Sequence, residues 1–214
     1  MNILVLCDDF WHPAEVLELG FQQIKTEHTF TFVKDAKDIL TPEYIEKFPL
    51  IICCKSNVIN ASNTNSWFDD EATEVTPAEF KTYIENGGGF LSLHAGNTAK
   101  VGEAYADLVG NYFLSHPPRC SIQVEMSDKN HPITAGVPDF EIRDEHYNIA
   151  LTCDDANVFC KTISETGGEQ IGGYTKELGS GRICVLTPGH ILSVFENEHF
   201  QKLLLQAIDW CAKN

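Results

Sequence analysis

Apolar and polar positions alternate along the chain in two periods, and the changes of period mark out its elements. Asn2–Cys7 is a short run of apolar β-formers closed by Asp8-Asp9, the pattern of a buried strand. From Pro13 to Lys25 the spacing becomes helical, with Val16, Leu17, Leu19, Gly20, Phe21 and Ile24 on one broad stripe. Thr29–Val33 predicts a second strand, and Thr41-Pro42 opens a short helix through Lys47, proline being well suited to a first helical turn. Leu50–Cys54 is apolar throughout, as a strand covered on both faces requires. Residues 56–75 are polar and carry Asn57, Asn60, Asn63 and Asn65, predicting a long loop of the kind that carries function.

Thr76-Pro77-Ala78-Glu79 has the form of a capping box and starts a helix through Asn86, which Gly87-Gly88 stops. Gly89–Leu93 reads as a strand and Ala99–Val109 as a helix. The remainder is richer in strands: Ser121–Met126, Phe140–Arg143, Val158–Ile163, Gln170–Tyr174 and Arg182–Leu186. Asn197–Ala212 closes the chain as an amphipathic helix with Phe200, Leu203, Leu204, Ile208 and Trp210 on its apolar side. This order predicts one domain over 1–214, with a mostly parallel sheet covered on both faces and an antiparallel extension.

Composition narrows the partners more than the fold. With 15 Lys+Arg against 31 Asp+Glu, the formal charge is −16. A field of that sign repels phosphate backbones and anionic lipid heads, so neither nucleic acid nor a membrane is expected as partner. No apolar run approaches the roughly 20 residues that span a bilayer. MNILVLCDDF has no basic segment before its apolar run and reads as a strand instead of a signal peptide, so a cytoplasmic location is expected. Eight cysteines, several within strand-like runs and none in CxxC spacing, predict reduced buried thiols and no structural zinc knuckle.

Ligands of parallel α/β sheets bind beyond the carboxyl ends of the strands. His12, His94 and His190 each fall just after a predicted strand. Leu93-His94-Ala95-Gly96 has the small flanking residues of a tight strand-to-helix turn, the geometry that lifts the nucleophile of G-x-S-x-G enzymes. Histidine is an uncommon covalent nucleophile but a common metal ligand and general acid/base. Asp144-Glu145-His146-Tyr147 is a second dense cluster; it suits acid/base work or metal ligation, and equally a hydrated acidic loop. His116 is a candidate for the pocket wall, His131 for support of a turn, and His28, His146 and His199 for solvent-facing or supporting positions. No P-loop and no G-x-G-x-x-G follows the first strand, so no nucleotide cofactor is expected.

The stretches IENGGGFLSLHAGN, NYFLSHPP, HPITAGVPDFEIRDEHY and GSGRICVLTPGH, with a last helix through AIDWC, resemble in order the ThuA-like (trehalose utilisation) family over most of the chain. The resemblance implies the class I glutamine amidotransferase-like fold, a flavodoxin-like three-layer α/β/α sandwich. Amidotransferases of that fold carry a nucleophilic cysteine at the elbow. Here the elbow carries His94, so glutamine amidotransfer by the thiolate route is not expected. The family pattern points to His12, His94, Asp144, Glu145, Tyr147 and His190, and this chain departs from it in CDDFWHP, where the family more usually has a glycine-containing turn.

The resemblance also implies sugar catabolism, on disaccharides and their keto forms. The leading expectation is a metal-assisted enzyme with His94, Glu145 and His190 catalytic. His12, His94 and His190 would hold a divalent metal, zinc above all. Asp144, Tyr147, Asn97, His116 and the Asn-rich loop 56–66 would contact a carbohydrate substrate. A metal-free acid/base isomerase or lyase and a non-catalytic sugar-binding protein are the alternatives, and a homo-oligomer is possible on any of them.

Overall fold

The computed structural model describes residues 1–34, 36, 39–58, 66–68 and 72–212. The strands in chain order are β1 (Asn2–Leu6), β2 (Thr29–Val33), β3 (Leu50–Cys53), β4 (Gly89–Leu93), β5 (Asn111–Ser115), β6 (Cys120–Met126), β7 (Phe140–Asp144), β8 (Asn148–Leu151), β9 (Asn157–Ser164), β10 (Gly168–Leu178) and β11 (Gly181–Leu186). The helices are α1 (Ala14–Gln22), α2 (Pro42–Ile45), α3 (Pro77–Glu85), α4 (Ala104–Val109), α5 (Leu192–Glu196) and α6 (Glu198–Ala212).

One sheet of nine strands runs in the order β2-β1-β3-β4-β11-β10-β9-β6-β7. Its first five strands are parallel, the order 2-1-3-4-5 of flavodoxin-like sheets when β11 is counted fifth. From β10 onward the pairs are antiparallel. The expected α/β sandwich with an antiparallel extension is therefore the fold observed.

Strand alternation explains the layers. Ile3 and Val5 of β1 point to one face and join Leu17 and Phe21 of α1, Phe195 of α5 and Leu203 and Leu204 of α6. Leu4 and Leu6 point to the other face, with Ile45 of α2, Phe80 and Ile84 of α3 and Val109 of α4. All five residues of β4 are buried, as a central parallel strand covered on both sides must be. β7 instead alternates buried and exposed positions.

The helix expected over Ala99–Val109 is shorter than its sequence pattern. Residues His94–Asn97 form a 3-10 turn, and the α-helix begins only at Ala104. Two short strands, β5 and β8, pair apart from the main sheet, and α5 precedes the closing helix; these were not evident in the pattern. All eight cysteines are free. Among the described residues no helix is long and apolar enough to cross a membrane.

Candidate metal and acid/base site

The turns after β1, β4 and β11 meet at the carboxyl edge of the sheet, because β4 and β11 are adjacent and Leu93 pairs with Leu186. His94, the residue after β4, has φ +41°, in the left-handed region that non-glycine residues seldom occupy. Its turn needs Gly96, where a Cβ would overlap the carbonyl oxygen of Cys53. His94 is fully buried, and its Nδ1 lies 2.8 Å from the Thr187 carbonyl. A carbonyl only accepts, so Nδ1 carries the proton and Nε2 keeps its lone pair. Burial pushes this imidazole down to about 4, against the opposing effect of Glu145, so it is neutral at physiological pH.

His190 is placed by its backbone. The N–H groups of Gly189 and His190 donate to Asp144 at 2.7 and 3.2 Å. Asp144 is fully buried, and burial raises its carboxyl to about 7 although those donors act the other way. His190 Nδ1 then stands 3.2 Å from His94 Nε2 and 3.3 Å from Glu145 Oε2. Burial lowers the His190 pKa too.

Glu145 faces several imidazoles at once: its Oε2 is 3.6 Å from His94 Nε2 and 3.8 Å from His116 Nε2. Burial alone would raise its carboxyl, but the contact with His94 and the charges of His190, His94 and His116 outweigh it and hold the group at about 2. His12 completes the cluster. Its Nδ1 lies 2.8 and 2.9 Å from the two oxygens of Asp9, which also accepts from the Ser56 N–H at 2.8 Å and hydroxyl at 2.6 Å. Burial opposes ionisation of Asp9, yet the bonds from His12 and Ser56 keep it below the usual carboxylate range. A carboxylate on Nδ1 leaves Nε2 as the outward lone pair, the arrangement that orients metal-binding imidazoles.

One donor atom from each of His12, His94, Glu145 and His190 lies within 4.8 Å of the others. Tetrahedral ligands at 2.0–2.1 Å from zinc stand roughly 3.3 Å apart. The spacings of 3.2, 3.3 and 3.6 Å among His94, His190 and Glu145 are close to that. Three imidazoles and an ionised carboxylate are also a donor set that suits zinc or a similar first-row ion.

Above these groups opens a cavity of about 550 Å³, whose wall includes Trp11, His12, His116, Glu145, Tyr147 and His190. Tyr147 lies over His94, ring centroids 4.2 Å apart, and its hydroxyl is 3.4 Å from His12 Nε2. Burial holds its phenol well above the usual value, so it stays protonated as a donor.

Two residues expected to touch substrate are turned away from this cavity. Asp144 is spent on the backbone of the His190 turn. Asn97 is fully buried beneath the elbow, donating to the Leu186 carbonyl at 3.0 Å and accepting from Ser92 Oγ at 2.8 Å, because the 3-10 turn curls it back onto the sheet. Thr98 takes the place at the wall. Of the Asn-rich loop, Asn57 lines the cavity, whereas Asn60, Asn63 and Asn65 lie outside the described residues. His131 braces its turn, with Nδ1 accepting from the Ile133 N–H at 3.2 Å and Nε2 3.2 Å from Thr175 Oγ1. His146 is buried and bonded to Ser164, 2.6 Å from its hydroxyl, facing neither solvent nor the cluster. Asp9 and Thr187 carry no motif in the sequence beyond the placing of Asp9 three residues before His12, and Ser56 serves Asp9 from the first position of the Asn-rich loop.

The family model of ThuA, described as trehalose utilisation, matches residues 3–211. The chain belongs to the ThuA family. That membership carries a carbohydrate-related role. A ThuA-like protein from Bacteroides uniformis is 17% identical, with 99% of this chain and 91% of that one covered and a TM-score of 0.77. A ThuA-like protein from Parabacteroides merdae is 19% identical, with 99% and 89% covered and a TM-score of 0.73. A cytoplasmic protein from Salmonella typhimurium LT2 is 12% identical over 100% of both chains, with a TM-score of 0.69. At these identities the likeness speaks for the ThuA fold and no further. No protein of curated function matches the sequence.

Proposed function

We propose that this ThuA protein is a cytoplasmic, metal-assisted enzyme acting on a disaccharide or keto-sugar. The observation that carries the proposal is the convergence of His12, His94, Glu145 and His190 donor atoms within 4.8 Å at the base of the cavity. His12, His94 and His190 would hold the ion, zinc being the best fit to these ligands. When bound, such an ion polarises a sugar carbonyl or activates water.

The rest falls to the chain's own groups. Asp9 and the Thr187 carbonyl hold His12 and His94 in the tautomers whose Nε2 lone pairs face inward. Glu145, ionised and beside the half-exposed His116, takes a proton from the reacting group and exchanges it toward solvent. The Tyr147 hydroxyl, Ser56, Asn57 and His116 offer donors and acceptors to sugar hydroxyls. The Salmonella neighbour described as cytoplasmic supports the location.

Metal analysis of untagged protein tests the proposal. About one zinc per chain is expected, lost in His94→Ala together with turnover of the sugar. A second reading rests on the 3.2 Å contact between His94 and His190, which with Glu145 makes an acid/base site needing no ion. Undiminished turnover after chelation would overturn the metal-assisted reading in its favour.

A further inference from the structure

Trp11 is 65% exposed and Phe10 beside it 70% exposed, although large aromatic side chains have the most to gain from burial. Adjacent exposed aromatics mark a surface that something covers. Trp11 lines the cavity above the histidine cluster, so that surface is the mouth of the site.

The backbone that carries the indole is held by the same group that holds His12. Asp9 Oδ1 accepts the backbone N–H groups of Trp11 at 2.8 Å and of His12 at 3.0 Å, and it contacts the His12 ring. The chain enters this turn through Asp8 at φ +72°, and the Phe10 and Trp11 rings meet edge-on at 4.6 Å. One carboxylate therefore orients an imidazole at the base of the cavity and anchors the backbone from which the indole projects at its rim. These bonds hold the backbone of the turn without a ligand, which reduces the entropic cost of binding.

The rest of the wall says what kind of ligand fits. Phe113 and Tyr147 add aromatic faces, while Asn57, Thr98, Lys100 and Glu103 add polar edges. A pyranose ring has the same division: C–H bonds on its faces and hydroxyls around its rim. An entirely apolar ligand would strip those polar groups of water without replacing it, and a polyanion would meet Glu145 and Glu103. A cavity of about 550 Å³ is in the range that encloses ligands of disaccharide size.

We propose that Trp11 is the stacking platform for the second ring of a disaccharide whose first ring reaches His12, Glu145 and His190. This rests on the carbohydrate reading above. Trp11 then determines the preference for two sugar rings over one, and Phe10 props the indole.

Calorimetric titration of trehalose, maltose, sucrose and lactose, with glucose as the single ring, tests the platform in wild type, Trp11→Ala and Trp11→Phe. For the disaccharide that binds, Trp11→Ala is expected to weaken affinity roughly tenfold, the scale of one aromatic stacking contact. Glucose affinity should stay within about twofold, zinc content should be unchanged, and Trp11→Phe should restore most of the loss. Binding should also shift the tryptophan emission of the wild type and leave that of Trp11→Phe unmoved. Disaccharide affinity unchanged in Trp11→Ala, or lost equally for one ring and two, overturns the platform and leaves the carbohydrate reading standing. No binding by any of these sugars overturns the platform together with the disaccharide form of that reading.

Discussion

His94 shows how much a residue's meaning depends on partners far away in the chain. Its place after a glycine-rich strand is visible in Leu93-His94-Ala95-Gly96, and the positive φ follows from that turn. Its tautomer is set by Thr187, and its neighbour His190 is set by Asp144; neither relation leaves a local pattern. Asp9 has the same role for His12. On the proposed metal-assisted function, Asp9→Asn should keep the fold yet weaken zinc binding roughly 10–100-fold, the usual effect of losing a ligand's carboxylate partner. Competition against a chelator of known affinity measures it, and an unchanged zinc affinity would deny Asp9 that role. The family pattern points to Asp144, and Asn97 lies beside the elbow, yet neither meets the cavity. Residue type and position along the chain do not reveal that backbone N–H groups and the sheet already occupy their side chains.

At the scale of elements, the long periodic segments were readable and the short ones were not. Thr76 and Glu79 form the capping box that their spacing announces, each bonded to the other's backbone. Thr76→Ala should therefore cost about 1 kcal/mol, a fall of a few degrees in Tm, without altering zinc content or activity. α5 has five residues and β8 four, too few for a period to be recognised. The elbow is more demanding than either. Any side chain at Gly96 meets the backbone of Cys53 and the hydroxyl of Ser92. Gly96→Ala should cost at least about 1–3 kcal/mol through overpacking and displace His94, so that calorimetric stability and zinc content fall together. Loss of neither would mean that β3 and β4 yield more easily than their packing implies.

For the molecule as a whole, two buried groups pull stability in opposite directions with pH. His94 titrates at about 4 in the fold against an ordinary 6.5, so between these values the folded chain binds fewer protons than the unfolded one. Its contribution is complete above pH 6.5 and is lost as pH falls through about 4. Asp144 titrates at about 7 in the fold against 3.8, so there the folded chain binds more protons, and its contribution is lost as pH rises through 7. In chelator-treated protein, His94→Gln should make stability fall more with rising pH between about 4 and 7 than in wild type. Asp144→Asn should tilt the dependence the other way. Urea midpoints at pH 5 and 8 read the difference, and three parallel curves would contradict both assignments.

Local sequence suffices for the layered α/β architecture, the parallel half of the sheet and the three histidines at its carboxyl edge. Burial on both faces demands continuous apolar strands, and a sharp turn demands small neighbours, so both requirements are written locally. The remainder depends on how distant segments pack. Glu145 leaves the far edge strand β7 and returns to His94 and His190 only because Asp144 is anchored on the β11 turn. Asp9 reaches Ser56, 47 residues away, only because β1 and β3 are paired. Contacts made across strands through single side chains have no period and no fixed spacing, so only the folded chain could bring these donors together.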